Sequence, residues 1–249
     1  MTTSPELTRR FEAFKRHLRG AKPRLFQVFL AFGLCGGLTG YYRNTVIAWL
    51  LAPANGHLSP TGQPIVTGLT DMFSFTLHLS ATVGLIGAAP VLAFHLFRFL
   101  SPALPVQVRR FLAVFLPTAV LCFLVGVAFA YWVLLPTGIR YLLGFGMGVV
   151  QPMITLNEYM DLALAMMLWL GVVFELPLAM FLLSKFGLVS HGRFWGFQPY
   201  VPIAAFALGS LITPSSDVVN VTLIGLPLIA LYEVGLLLSW LARPRAVRP

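Results

Sequence analysis

Residues 159–183 read YMDLALAMMLWLGVVFELPLAMFLL, twenty-five positions of which only Asp161 and Glu175 carry charge. At 1.5 Å per residue, a helix of that length crosses a hydrocarbon core of about 30 Å. Working outward, the same texture recurs. There are six apolar runs: Leu25–Gly40, Met72–Leu96, Phe111–Pro136, Tyr159–Leu183, Tyr200–Ile212 and Val218–Trp240. Across the 249 residues 58% are hydrophobic and 10% charged, against roughly 25% charged in a soluble domain. That composition excludes a soluble globular protein. It predicts an all-α membrane protein with six transmembrane helices in a single integral domain over residues 1–249, preceded by a polar, basic segment at 1–24.

The fifth run has 13 residues, enough for only about 20 Å of helix. It therefore sinks partway or thins the bilayer around it. The link Thr213-Pro-Ser-Ser-Asp217 permits only a tight turn, so runs five and six form a hairpin. Lys and Arg fix the orientation. Fifteen fall in the gaps on one side, and only Arg43 and Arg140 on the other, which places both termini in the cytoplasm. The net charge of +9 sits in these short gaps rather than on a patch, so it does not point to nucleic acid. Cys35 and Cys122 lie inside apolar runs and form neither a disulfide framework nor a metal-ligand spacing. No cofactor or metal is expected.

Enzyme chemistry is also missing. No Walker loop and no HExxH occurs. Leu208-Gly-Ser210 lacks the second glycine of a nucleophile segment, and no histidine falls in spans four to six. Gly144-Phe-Gly-Met-Gly148 lacks the strand–turn–helix setting of a dinucleotide fingerprint and reads as a loop. There is no internal repeat.

Some residues are costly to keep in a membrane. Glu175, two-thirds of the way along span four, costs about 2.5–3.5 kcal/mol at the bilayer centre on insertion scales, so it should face protein, water or a partner. It is either a protonated acid bonded to a neighbouring helix or a polar docking point. Pro177, with Pro90, Pro117, Pro136, Pro202 and Pro227, is expected to kink its helix and curve the bundle around a hollow. His78 and His95 flank the ends of span two as hydrogen-bonded structural residues. Glu233 is expected to pair with Arg243 or Arg245. Gly33/Gly37 and Gly36/Gly40 form two overlapping GxxxG pairs that predict close helix packing, within the chain or with a partner.

In order along the chain come His17-Leu18 with Lys22 and Arg24, Ala52-Pro53, Ala89-Pro90, Phe99-Leu-Ser-Pro-Ala-Leu104 with Arg109-Arg110, and Gly126-Val-Ala-Phe-Ala-Tyr131. Phe174-Glu-Leu-Pro177, Pro199-Tyr200, Leu211-Ile-Thr-Pro214, Asp217 and Tyr232-Glu233 follow. In this order and spacing the chain resembles TatC, the multi-spanning core subunit of the twin-arginine protein translocase, over nearly its whole length. The resemblance implies a concave, glove-shaped bundle with short fifth and sixth spans, resident in the prokaryotic plasma (inner) membrane. It implies binding of signal peptides of folded cargo, single-span TatA- and TatB-type partners in a homo- or hetero-oligomer, and export driven by the proton-motive force. On the same footing Leu18, Lys22, Arg24, Phe99, Leu104 and Arg110 line the signal-peptide site. Glu175, Thr213, Asp217 and Asn220 supply the intramembrane polar contacts for partner helices.

The chain departs from the family pattern at several points. Two glutamates expected to meet the signal arginines, where bidentate carboxylate pairing would be strong, fall on Gly20 and Val108. Glu12 is the nearest replacement. A lysine usual at the start of span two is His78, and the arginine before Pro199 is Gln198. These changes predict weak discrimination between twin-arginine and twin-lysine signals. Two other readings follow: a divergent TatC-like paralogue that binds other hydrophobic segments, and a proton-coupled small-solute transporter with Glu175 as the titrating group.

Overall fold

Inside hydrocarbon every backbone N–H and C=O must find its partner within the segment, so apolar runs of this length resolve into helices. The structure, a computed structural model, describes residues 24–54, 65–66, 68, 70–100, 106–144, 155–212 and 218–242. Among them the one bridge of β type joins Ile65 to Thr155. Everything else is helix or turn. The helices are α1 (Arg24–Tyr41), α2 (Arg43–Leu51), α3 (Asp71–Leu100), α4 (Val106–Phe129), α5 (Leu135–Gly144) and α6 (Leu156–Val173). They continue as α7 (Leu176–Lys185), α8 (His191–Phe197), α9 (Val201–Ile212) and α10 (Val218–Leu241).

Among the described residues, four helical stretches are long and apolar enough to cross a membrane: Asp71–His95, Phe115–Tyr141, Leu156–Lys185 and Val221–Leu241. The bent pair α1–α2 makes a fifth if it counts as one. The fifth expected span, α9, has 12 residues, about 18 Å of helix. The expectation of a short sixth span is corrected: α10 has 24 residues, as many as α4. It is supported along its length, with Val221 against α9 and Gly235 against α7, and Pro227 lies inside it without ending it.

The first run does not simply stop at Gly40. Tyr42 leaves helical geometry (φ −92°, ψ 22°), and the chain turns by 81° into α2. Long-range anchors explain the bend. The Tyr131 hydroxyl donates to the Trp49 carbonyl (2.6 Å) and the Tyr159 hydroxyl to the Leu50 carbonyl (2.6 Å). The rings of Trp49 and Tyr131 stack at 4.0 Å. Leu50 and Ala54 are fully buried in the core with Leu79, Leu135 and Met160.

The prolines divide into two sets. Pro90, Pro117 and Pro227 lie inside helices. Pro177 and Pro202 each occupy the second residue of a helix, where a missing N–H costs little, so the expectation that these two kink helix interiors is corrected, whereas Pro136 lies inside the continuous helical stretch Phe115–Tyr141. Ahead of Pro136 the helix widens into a π-turn, Ala130–Leu134, and the Leu135 amide reaches back to the Ala130 carbonyl.

Candidate functional site

Glu175 sits where the third long apolar stretch breaks. α6 ends at Val173, and α7 starts at Leu176, with Glu175 at its N-cap and Pro177 as its second residue. The Glu175 amide donates to the Val172 carbonyl (3.1 Å), a tighter turn than the helix proper, while its carbonyl accepts from Ala179 (2.8 Å). The side chain is half-buried. Its carboxyl faces the backbone of Phe123 and the thiol of Cys122 on α4.

That approach depends on two glycines. A methyl placed on Gly126 would stand 2.6 Å from the Leu170 carbonyl oxygen and 2.9 Å from the Cα of Gly171. One placed on Gly171 would meet the Phe123 ring at 2.7 Å. The two backbones therefore nearly touch, which small residues at a helix crossing permit. Sequence reading singled out Glu175 and missed Gly171. Gly126 was visible in Gly126-Val-Ala-Phe-Ala-Tyr131, but its contact is 44 residues away.

On the far side of the break, α7 lies along α10. A methyl on Gly235 would crowd Met180 and come within 3.3 Å of the Pro177 Cα. Asn220 is fifteen residues before Gly235 on α10, about 22 Å along the axis, so it is not gathered with Glu175. It lies instead beside the α9–α10 contact, where a methyl on Gly209 would stand 2.9 Å from the Val221 carbonyl. Thr213 and Asp217 lie outside the described residues.

Among the signal-site candidates, Arg24 Nη1 donates to the Arg98 carbonyl (3.2 Å). This brings the start of α1 to the last turn of α3, which contains Phe99 and whose orphan carbonyls favour a cation. Arg110 and Val108 lie in the first turns of α4. Leu18, Gly20, Lys22 and Leu104 lie outside the described residues.

Two departures from the family pattern prove to be paired with acids. His78 Nδ1 lies 2.8 Å from Asp161 Oδ1, linking α3 to α6, with both side chains about half exposed. Gln198 Nε2 donates to Glu233 Oε1 at 3.0 Å. The expected partners of Glu233, Arg243 and Arg245, lie outside the described residues; the Gln198 amide comes from the turn after α8. His95, on the α3 turn before Phe99, buries its Nδ1 with no hydrogen-bond partner among the described residues. No cluster of His, Cys, Asp and Glu able to hold a metal occurs among them.

Residues 16–227 match the family model for the Sec-independent protein translocase protein TatC. The chain is 30% identical to the Sec-independent protein translocase protein TatC of Aquifex aeolicus, over 91% of this chain and 94% of that protein. It is 33% identical to the one from Deinococcus radiodurans, over 90% and 84%, and 31% identical to the one from Escherichia coli K12, over 90% and 86%. A crystal structure of the twin-arginine translocase receptor TatC superposes with a TM-score of 0.80 at 30% identity, covering 91% of this chain and 99% of that one. A second, in DDM, gives the same TM-score.

Proposed function

The chain belongs to the TatC family of Sec-independent protein translocase proteins, and on that premise we propose that it is the signal-peptide-binding core subunit of a twin-arginine translocase. In this reading it is one integral unit of the prokaryotic inner membrane with six spans and both termini cytoplasmic. It binds and scaffolds rather than catalyses. Single-span TatA- and TatB-type subunits are its partners, and the proton-motive force drives export of folded cargo. Leu18, Lys22, Arg24, Phe99, Leu104 and Arg110 form the signal site, and Glu175, Thr213, Asp217 and Asn220 meet partner helices.

The observation that carries the signal site is the bond from Arg24 to the Arg98 carbonyl. It draws together two segments, the start of α1 and the end of α3, that sequence order separates by more than seventy residues. What the site lacks is a carboxylate at the two positions where the family pattern expects one. With glycine at position 20 and valine at 108, an arginine pair finds no carboxylate there, and an unpaired buried charge costs several kcal/mol. Binding of a fluorescent signal peptide to the purified protein tests this. Twin-arginine and twin-lysine peptides should bind within about tenfold of each other, and a Gly20→Glu, Val108→Glu double variant should favour arginine. Native selectivity of tenfold or more would show that another carboxylate, Glu12 first, has taken over. Absence of binding by either peptide would sink the signal-receptor reading.

A further inference from the structure

We propose that the cleft between α8 and the last two turns of α10 is a binding site for the primary-amine headgroup of a bilayer phospholipid. The cleft is an open one of about 690 Å³, within the size range of small-ligand sites. Glu233, Leu236, Leu237 and Trp240 line one wall at spacings that put them on one helix face. His191 and Trp195, one turn apart on α8, line the other.

Three hydrogen bonds run between the two walls, from His191 to Ser239, from Tyr232 to Phe194 and from Gln198 to Glu233. The buried Ser239 hydroxyl donates to the Leu236 carbonyl (2.8 Å), so it accepts from His191 Nδ1–H (2.7 Å). The Tyr232 hydroxyl donates to the Phe194 carbonyl (2.8 Å), and Gln198 donates to Glu233. A cleft fixed this way does not have to pay an ordering cost when a ligand enters.

Depth and charge together select the occupant. The apolar stretch of α10 ends at Leu241, so the cleft opens where hydrocarbon meets headgroups, the level at which tryptophan is enriched. Trp195 and Trp240 are more than half exposed in the chain alone. Glu233 takes a bond from a neutral amide, and among the described residues no Lys or Arg forms an ion pair with it. A carboxylate lining the same cleft as two indoles attracts a cation. A primary ammonium adds N–H donors for the second carboxylate oxygen, which a trimethylated amine lacks. The acyl chains of such a lipid would then run down the exposed Leu237 face.

The protein, reconstituted in vesicles, provides the test. Chain-brominated phosphatidylethanolamine, phosphatidylcholine and phosphatidylglycerol would each be compared at equal mole fraction for quenching of tryptophan fluorescence. Phosphatidylethanolamine should quench at least threefold more effectively than the other two. That preference should vanish in Glu233→Gln and in Trp195→Leu, and persist in Trp132→Phe, which removes an exposed indole elsewhere. Either cleft variant suffices if the other fails to fold. Equal quenching by all three headgroups overturns the proposal, as does a preference that survives the cleft variants. Displacement of the quencher by a soluble oligo-lysine peptide, with no headgroup preference, would overturn it in favour of a basic peptide partner.

Discussion

Gly36 and Gly33 stand three residues apart on α1, yet one is locked in and the other faces open space. A methyl on Gly36 would stand 2.9 Å from the Ser80 carbonyl oxygen on α3, and one on Gly84 would stand 3.0 Å from Gly36 itself. A methyl placed on Gly33 or Gly37 would meet nothing within 4 Å among the described residues. The two overlapping GxxxG pairs thus divide: Gly36/Gly40 make the internal crossing to α3, and Gly33/Gly37 stay on the outer face. A small-residue motif marks where a helix can be approached, and only its neighbours decide whether it is.

The comparison is broken or sharpened by alanine substitution read as thermal stability in detergent. The largest loss should come from Gly126→Ala, where the new methyl meets the α6 backbone at both Leu170 and Gly171 and cannot be accommodated by a rotamer; overpacking of this kind costs about 1–3 kcal/mol. Gly36→Ala should follow at about 1–2 kcal/mol, since its obstacle is also a carbonyl. Gly40→Ala should cost about 0.5 kcal/mol, because the atom in its way is the Ser80 hydroxyl at 3.2 Å, a side chain that can turn aside. Adding Ser80→Ala should rescue Gly40→Ala and leave Gly36→Ala unrescued; rescue of both would mean the crossing is softer than its distances indicate. Gly33→Ala should change stability by less than about 0.5 kcal/mol. A stability loss comparable to Gly36→Ala would erase the distinction between the faces.

Much of the helical layout was legible because the bilayer imposes it. The apolar runs anticipated α9 to within a residue at its start and α10 to within one at its end. The bend into α2 was not legible, since no proline or glycine stands at Tyr42. It is held by hydroxyls of Tyr131 and Tyr159, 82 and 109 residues from the carbonyls they meet. Local pattern carries no trace of such partners. The same holds at the polar positions. Glu175 was conspicuous as an acid in an apolar run, whereas its neighbours Phe123 and Gly171 are ordinary residues made special by a crossing. His78 and Gln198 were visible as departures, but their acids, Asp161 and Glu233, became apparent only through distance.

The break at Glu175 has a mechanical consequence. α6 is interlocked with α4 through Gly126 and Gly171, and α7 with α10 through Gly235 and Pro177. The chain passes from the first pair to the second once, at Phe174–Glu175. The stretch Leu156–Lys185 is thus held by a different neighbour on each side of one turn, with the carboxyl at the joint facing α4. Any force that tilts α7 with α10 relative to α6 and α4, whether from a docking helix or a strained bilayer, changes the surroundings of that carboxyl.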